Sequence, residues 1–126
     1  MPYKIFISAS YKDRDIARDL QHRLHEAGVS VTYSELTISI GSDFEKTFMS
    51  LLRASDAIIV ILSRNSIDNF WMMYEIGAAS SLQKTITPVV VGLESSELPA
   101  VIKQLKYIRY DKLSEYISNI GRSEAA

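Results

Sequence analysis

Among the 126 residues, the side chain that stands out chemically is Glu75, the only charged residue between Asp68 and Lys84, set in the run Phe70-Trp71-Met72-Met73-Tyr74-Glu75-Ile76-Gly77-Ala78-Ala79. A carboxylate alone in so apolar a stretch either stands at a rim and points at water, or is held in a pocket at electrostatic cost. Trp71 lies one helical turn earlier on the same face, so ring and carboxylate can line one cavity. Trp71 can equally be an ordinary core aromatic, and the spacing alone leaves both readings open. His22 and His25, beside Glu26, are the other candidate cluster. Their helical face is solvent-side by periodicity and a metal would need ligands from elsewhere, so a solvated face and no metal are expected.

Several chemistries are excluded. The five glycines form neither Gly-x-Gly-x-x-Gly nor a phosphate loop ending in Lys-Ser or Lys-Thr, which argues against a Rossmann dehydrogenase or a P-loop NTPase. A response-regulator receiver needs an acidic pair after its first strand and an Asp at the end of its third; Ser8-Ala9 and Ser63 stand there instead. There is no cysteine, so disulfides and thiolate metal sites are ruled out and a reducing, cytoplasmic setting is expected. A net charge of -1 with scattered Lys and Arg gives no footprint for nucleic acid or for an anionic membrane. The start, Met1-Pro2-Tyr3-Lys4, lacks the apolar core of a signal peptide, and the longest apolar run, Ala57–Leu62, is far too short to span a bilayer.

The elements that must position Glu75 alternate along the chain. Lys4-Ile5-Phe6-Ile7-Ser8 reads as a buried strand. Ile16, Leu20, Leu24 and Ala27 recur at helical spacing, with Ser10-x-x-Asp13 as a start signal and Gly28 as a stop. Val29-Ser30-Val31-Thr32-Tyr33 alternates, as a strand near a sheet edge does, and a loop follows over residues 34–41. Ser42-x-x-Glu45 is a capping box opening a helix that buries Phe44, Phe48, Leu51 and Leu52. The β-branched run Ala57–Leu62 is expected of a central parallel strand covered on both faces. A third helix spans roughly 70–83, and Val89-Val90-Val91 forms the core of a fourth strand with Pro88 near its start. Residues 100–105 suit a short helix, 107–110 a short fifth strand, and Leu113, Tyr116, Ile117 and Ile120 a last helix. Strict alternation of strand and helix predicts an α/β, flavodoxin-like three-layer sandwich: a five-stranded parallel sheet of order 2-1-3-4-5 with helices on both faces. Ligands of such sheets bind beyond the carboxyl ends of the strands at the switch point, here the loops at 8–13, 34–43 and 63–69.

The segments in those places resemble the TIR (Toll/interleukin-receptor) family, as found in short bacterial members that cleave NAD⁺. Lys4 to Asp13 resembles the opening Phe-Ile-Ser-x-x-x-x-Asp block, Asp56 to Ser66 the third strand with its Ser-x-x-Ser loop, and Trp71-x-x-x-Glu75 the Trp-x-x-x-Glu of catalytically active members. The resemblance covers the chain from Lys4 to about Ile120, giving a TIR domain over 1–120 and a polar tail or linker start over 121–126. Ala9 and Ser34 depart from the His or Tyr, and from the acid, of many bacterial members.

The resemblance implies an NAD⁺ nucleosidase that breaks the nicotinamide–ribose bond and releases nicotinamide with ADP-ribose or a cyclic ADP-ribose. NAD⁺ enters as substrate, and no cofactor is implied. It implies Glu75 as the catalytic residue and Ser8, Ala9, Ser10, Tyr11, Tyr33, Ser34, Gly41 and Trp71 as substrate-binding. Leu36, Ile38 and Ile40 become an assembly loop for self-association through TIR–TIR contacts, with an activating partner protein or domain as a further expectation. Members of this kind are typical of bacteria, in antiphage defence or as effectors. A non-enzymatic adaptor and a nucleotide sensor without turnover are the competing readings; adaptor members often lack the acid found at 75.

Overall fold

A computed structural model describes residues 3–33, 43–68 and 70–125. The elements in chain order are β1 (Lys4–Ser8), α1 (Arg14–Glu26), β2 (Ser30–Tyr33), α2 (Asp43–Arg53), β3 (Ala57–Leu62), α3 (Phe70–Ser81), β4 (Thr85–Val90), α4 (Ala100–Gln104), β5 (Ile108–Arg109) and α5 (Leu113–Ala125). The five strands form one parallel sheet in the order β2-β1-β3-β4-β5, as the alternation predicts. The chain steps one way from β1 to β2, crosses back to β3, and then continues outward, so the switch point lies between β1 and β3.

Period-two alternation in the strands divides the core between the two faces of the sheet. Phe6, Ile58, Val60, Leu62 and Val90 turn to one face, where Phe48 and Leu52 of α2, Met72, Ile76 and Ala79 of α3 and Ile102 of α4 bury them. Ile5, Ile7, Ile59, Ile61 and Val89 turn to the other, against Ala17, Leu20 and Leu24 of α1 and Leu113 of α5. Every residue of β3 is buried, which is why its sequence is an unbroken apolar run. β2, paired only with β1, alternates exposed and half-buried positions as an edge strand does. Gly28 ends α1 with φ +86°, a left-handed conformation that favours glycine.

Three details differ from the sequence reading. β4 begins at Thr85, so Pro88 sits in its second half and not near its start. β5 pairs only with Val89 and Val90, which leaves the stretch of β4 up to Pro88 with an open edge on that side, where a missing N–H is tolerated. β5 itself is two residues long, because Tyr110–Lys112 turns directly into a 3-10 helix. The backbone at 121–125, expected as a polar tail, continues α5 as far as Ala125. The capping serine Ser42 lies outside the described residues, as do Ser34, Gly41 and the apolar loop residues Leu36, Ile38 and Ile40; so do the side chains of Phe44 and Glu45. Among the described residues no helix is long and apolar enough to cross a membrane.

Candidate active site

Helix α3 is apolar nearly all round, and the stripe it buries is Met72, Glu75, Ile76 and Ala79, the i, i+3, i+4, i+7 set of one helical face. Glu75 is therefore part of the buried face, with 3% of its surface exposed, and the reading in which it points at water is set aside. Burial disfavours its ionised form and pushes its pKa up to about 7; a hydrogen bond from the Ser8 hydroxyl to Oε2 opposes that rise and is the smaller influence. Ser8 reaches Glu75 because it has the same strand parity as Phe6 and so faces the side of the sheet that α3 covers. It is the last residue of β1, at the carboxyl end, beside the switch point.

Trp71 precedes Glu75 by one turn and is half-buried. Its ring stacks on Tyr74 at 4.8 Å and 24° and meets Phe48 of α2 edge-on at 5.4 Å and 69°. Phe6 continues the aromatic chain, 5.6 Å from Phe48. The arrangement rigidifies α3 against α2 next to Glu75. Trp71 thus packs within this chain of rings while keeping part of its surface open, and Tyr74 and Met73 carry exposed apolar surface beside it.

A second polar group ties the loops together. Asp13 is the N-cap residue of α1, yet its side chain makes no capping bond. It is buried, and both oxygens reach across to the loop after β3: Oδ2 accepts from Ser63 Oγ at 2.5 Å and Oδ1 from Asn65 Nδ2 at 2.9 Å. Ser63 Oγ in turn accepts from the Asn65 N–H at 3.0 Å, and Ser66 Oγ accepts from the Ser63 N–H and donates to the Ile61 carbonyl, both at 3.0 Å. This closed network pins the β1–α1 loop to the β3–α3 loop on either side of the switch point. Its members were visible in the sequence as a helix-start Asp and a Ser-x-Asn-Ser cluster, but their partnership spans 50 residues and no local pattern encodes it.

The other described substrate-binding candidates of the β1–α1 loop and β2 lie around the same end of the sheet. Ser10 caps the short 3-10 helix Tyr11–Asp13, its hydroxyl accepting from the Lys12 N–H at 3.3 Å. Tyr11 is exposed, with the Arg14 guanidinium 4.4 Å from its ring centre. Ala9 and Tyr33 pack against the α1/α5 core, on the opposite face of the sheet from Glu75. Of the described substrate-binding candidates, Ser8 is the one with a hydrogen bond to Glu75. On α1, His22 pairs with Glu26 at 3.1 Å on an exposed face, as its periodicity indicates. Among the described residues no three of His, Asp and Glu converge as metal ligands would.

Comparison with known proteins places this arrangement. The family model described as TIR domain matches residues 5–122. The NAD(+) hydrolase TcpC of Escherichia coli O6:H1 is 30% identical over 132 residues, a match covering 98% of this chain and 41% of that protein. The 2' cyclic ADP-D-ribose synthase AbTIR of Acinetobacter baumannii is 36% identical over 75 residues, covering 59% of this chain and 28% of that protein. The chain thus spans less than half the length of either relative. Among solved structures, the TIR domain of the Toll-related receptor TRR-2 from Hydra magnipapillata superimposes with a TM-score of 0.76 at 20% identity, covering 98% of this chain and 99% of that one.

Proposed function

Because the chain belongs to the TIR domain family, we propose that it is an NAD⁺ nucleosidase of that family, with Glu75 as its catalytic carboxylate. The observation that carries the reading is a carboxyl group buried at the switch point of a parallel sheet, the place where this architecture binds ligands, with a pKa moved into the neutral range. The names of the relatives TcpC and AbTIR, an NAD(+) hydrolase and a cyclic ADP-ribose synthase, support the same chemistry.

The reaction asks little of acid or base groups. The C1′–N1 bond of NAD⁺ breaks, its electron pair stays on nicotinamide, and nicotinamide leaves as a neutral base. Positive charge develops on the ribose. Ionised Glu75, accepting hydrogen bonds from ribose hydroxyls, binds that charge more tightly as it grows, which is the condition for lowering the barrier. A water oxygen then bonds to C1′ and loses a proton, giving ADP-ribose; a nucleophile within the same nucleotide gives a cyclic product instead. The loop that contains Leu36, Ile38 and Ile40 is the proposed contact through which copies associate and the site is completed. An activating partner protein or domain and a role in bacterial defence belong to the same proposal.

The test is nicotinamide release from NAD⁺ by concentrated protein, with Glu75→Gln as control. Release by the parent and a loss of about two orders of magnitude or more in the variant is the expected result. No release from the parent, even when clustered, overturns the enzymatic reading. Equal rates overturn only the role given to Glu75.

A further inference from the structure

We propose that Ser8 is a positioning residue for Glu75: its hydroxyl tethers Oε2 to the end of β1, so that Oε1 is the oxygen presented to a ligand. The kinetic part of this inference rests on the NAD⁺-cleaving reading above; the geometric part does not.

Three observations carry it. First, the contact joins residues 67 apart in sequence, and it exists because strand parity turns Ser8 toward α3 while helical periodicity turns Glu75 toward the sheet. Second, Ser8 is the one hydrogen-bond partner that the described residues give Glu75, and it occupies Oε2. Among those residues no fully inaccessible side-chain oxygen is left without a partner, so Oε1, for which none is seen, keeps a narrow opening although Glu75 as a whole is buried. One oxygen is thus held and the other offered. Third, a serine hydroxyl has a single proton. While that proton serves Glu75, Ser8 cannot donate to the ribose or phosphate of a substrate, so the substrate-binding role expected from the sequence gives way to an indirect one. An untethered glutamate has three side-chain torsions to order before its carboxylate is aimed, and a fixed oxygen removes most of that freedom in advance.

The experiment compares the parent with Ser8→Ala in two measurements. In the first, the Glu75 carboxyl carbon is titrated by NMR, with Glu75→Gln identifying the signal. The lost hydroxyl favoured the ionised form, so the midpoint moves to higher pH in Ser8→Ala; among the described residues no charged group contributes to the Glu75 shift. In the second, steady-state nicotinamide release is followed from pH 5.5 to 8.5. A roughly tenfold fall in kcat at neutral pH is expected, with KM within about twofold, together with an acid limb displaced by as much as the titration midpoint. A midpoint and a limb that both stay in place overturn the proposal. So does a raised KM with kcat retained, the signature of a direct substrate contact. Should Ser8→Ala fail to fold, Ser8→Cys keeps nearly the same volume with a poor donor and is read by the same criteria. If the parent releases no nicotinamide, the proposed function falls, and the NMR titration alone decides the tether.

Discussion

A buried carboxyl group whose pKa stands at about 7 divides between two protonation states at neutral pH, and each state does something different. The ionised state is the one that can hold a developing cation. Nicotinamide release measured across pH is therefore expected to fall about tenfold per pH unit below 7 and to level off above it. The neutral state is the one the fold prefers. The folded pKa of Glu75 is raised above its unfolded value, so its contribution to stability is fully present at pH values below the unfolded pKa. That contribution is lost as pH rises through the folded value of about 7. Glu75→Gln, neutral at every pH and still able to accept from Ser8, is expected to be more stable than the parent at pH 8 by on the order of 2–3 kcal/mol. The gain should shrink toward zero by about pH 4, and urea denaturation at a series of pH values checks it. Loss of activity with a gain in stability is the pair of results that separates a residue kept for chemistry from one kept for packing.

Among the elements, the Asp13 network joins two loops that share no strand pairing of their own. Asp13→Ala leaves the buried Ser63 and the Asn65 side chain without their acceptor and removes a negative charge from the start of α1, and a loss of about 3 kcal/mol is expected in denaturant unfolding. Asp13→Asn, which keeps acceptor capacity on one side, should lose roughly half as much. Legibility in the sequence tracked the range of the interaction. β3 was readable because every side chain of Ala57–Leu62 is buried and the run is apolar throughout; α1 was readable because Leu20 and Leu24 lie on one stripe and Gly28 must end it. Pro88 misled because the edge left open by a two-residue β5 is a property of the neighbouring strand and not of β4 itself. Glu75 was found as an isolated charge, but its burial followed from which face of an apolar helix meets the sheet, and an all-round apolar sequence does not say which. The Ser8 and Asp13 partnerships join residues 67 and 50 apart and became visible only with the fold.

For the molecule as a whole, the proposed dependence on association predicts nicotinamide release per molecule that rises steeply with protein concentration. Replacing Ile38 with Asp should flatten that rise while leaving thermal unfolding of the dilute protein little changed; constant activity per molecule over a hundredfold dilution would overturn the association reading. The sheet order has a further consequence, in the time domain. β1 is the first of these five strands to be synthesised, yet it lies inside the sheet, between β2 and β3. One side can be closed as soon as residues 30–33 are available, but the other stays open until 57–62 have emerged and the chain has crossed back over. Until then the apolar triplet Ile5-Phe6-Ile7 presents an unpaired edge. Glu75 follows later still in the chain. The growing polypeptide therefore carries an unpaired apolar edge before it carries its candidate active site, and synthesis is a stage at which that edge is open to mispairing.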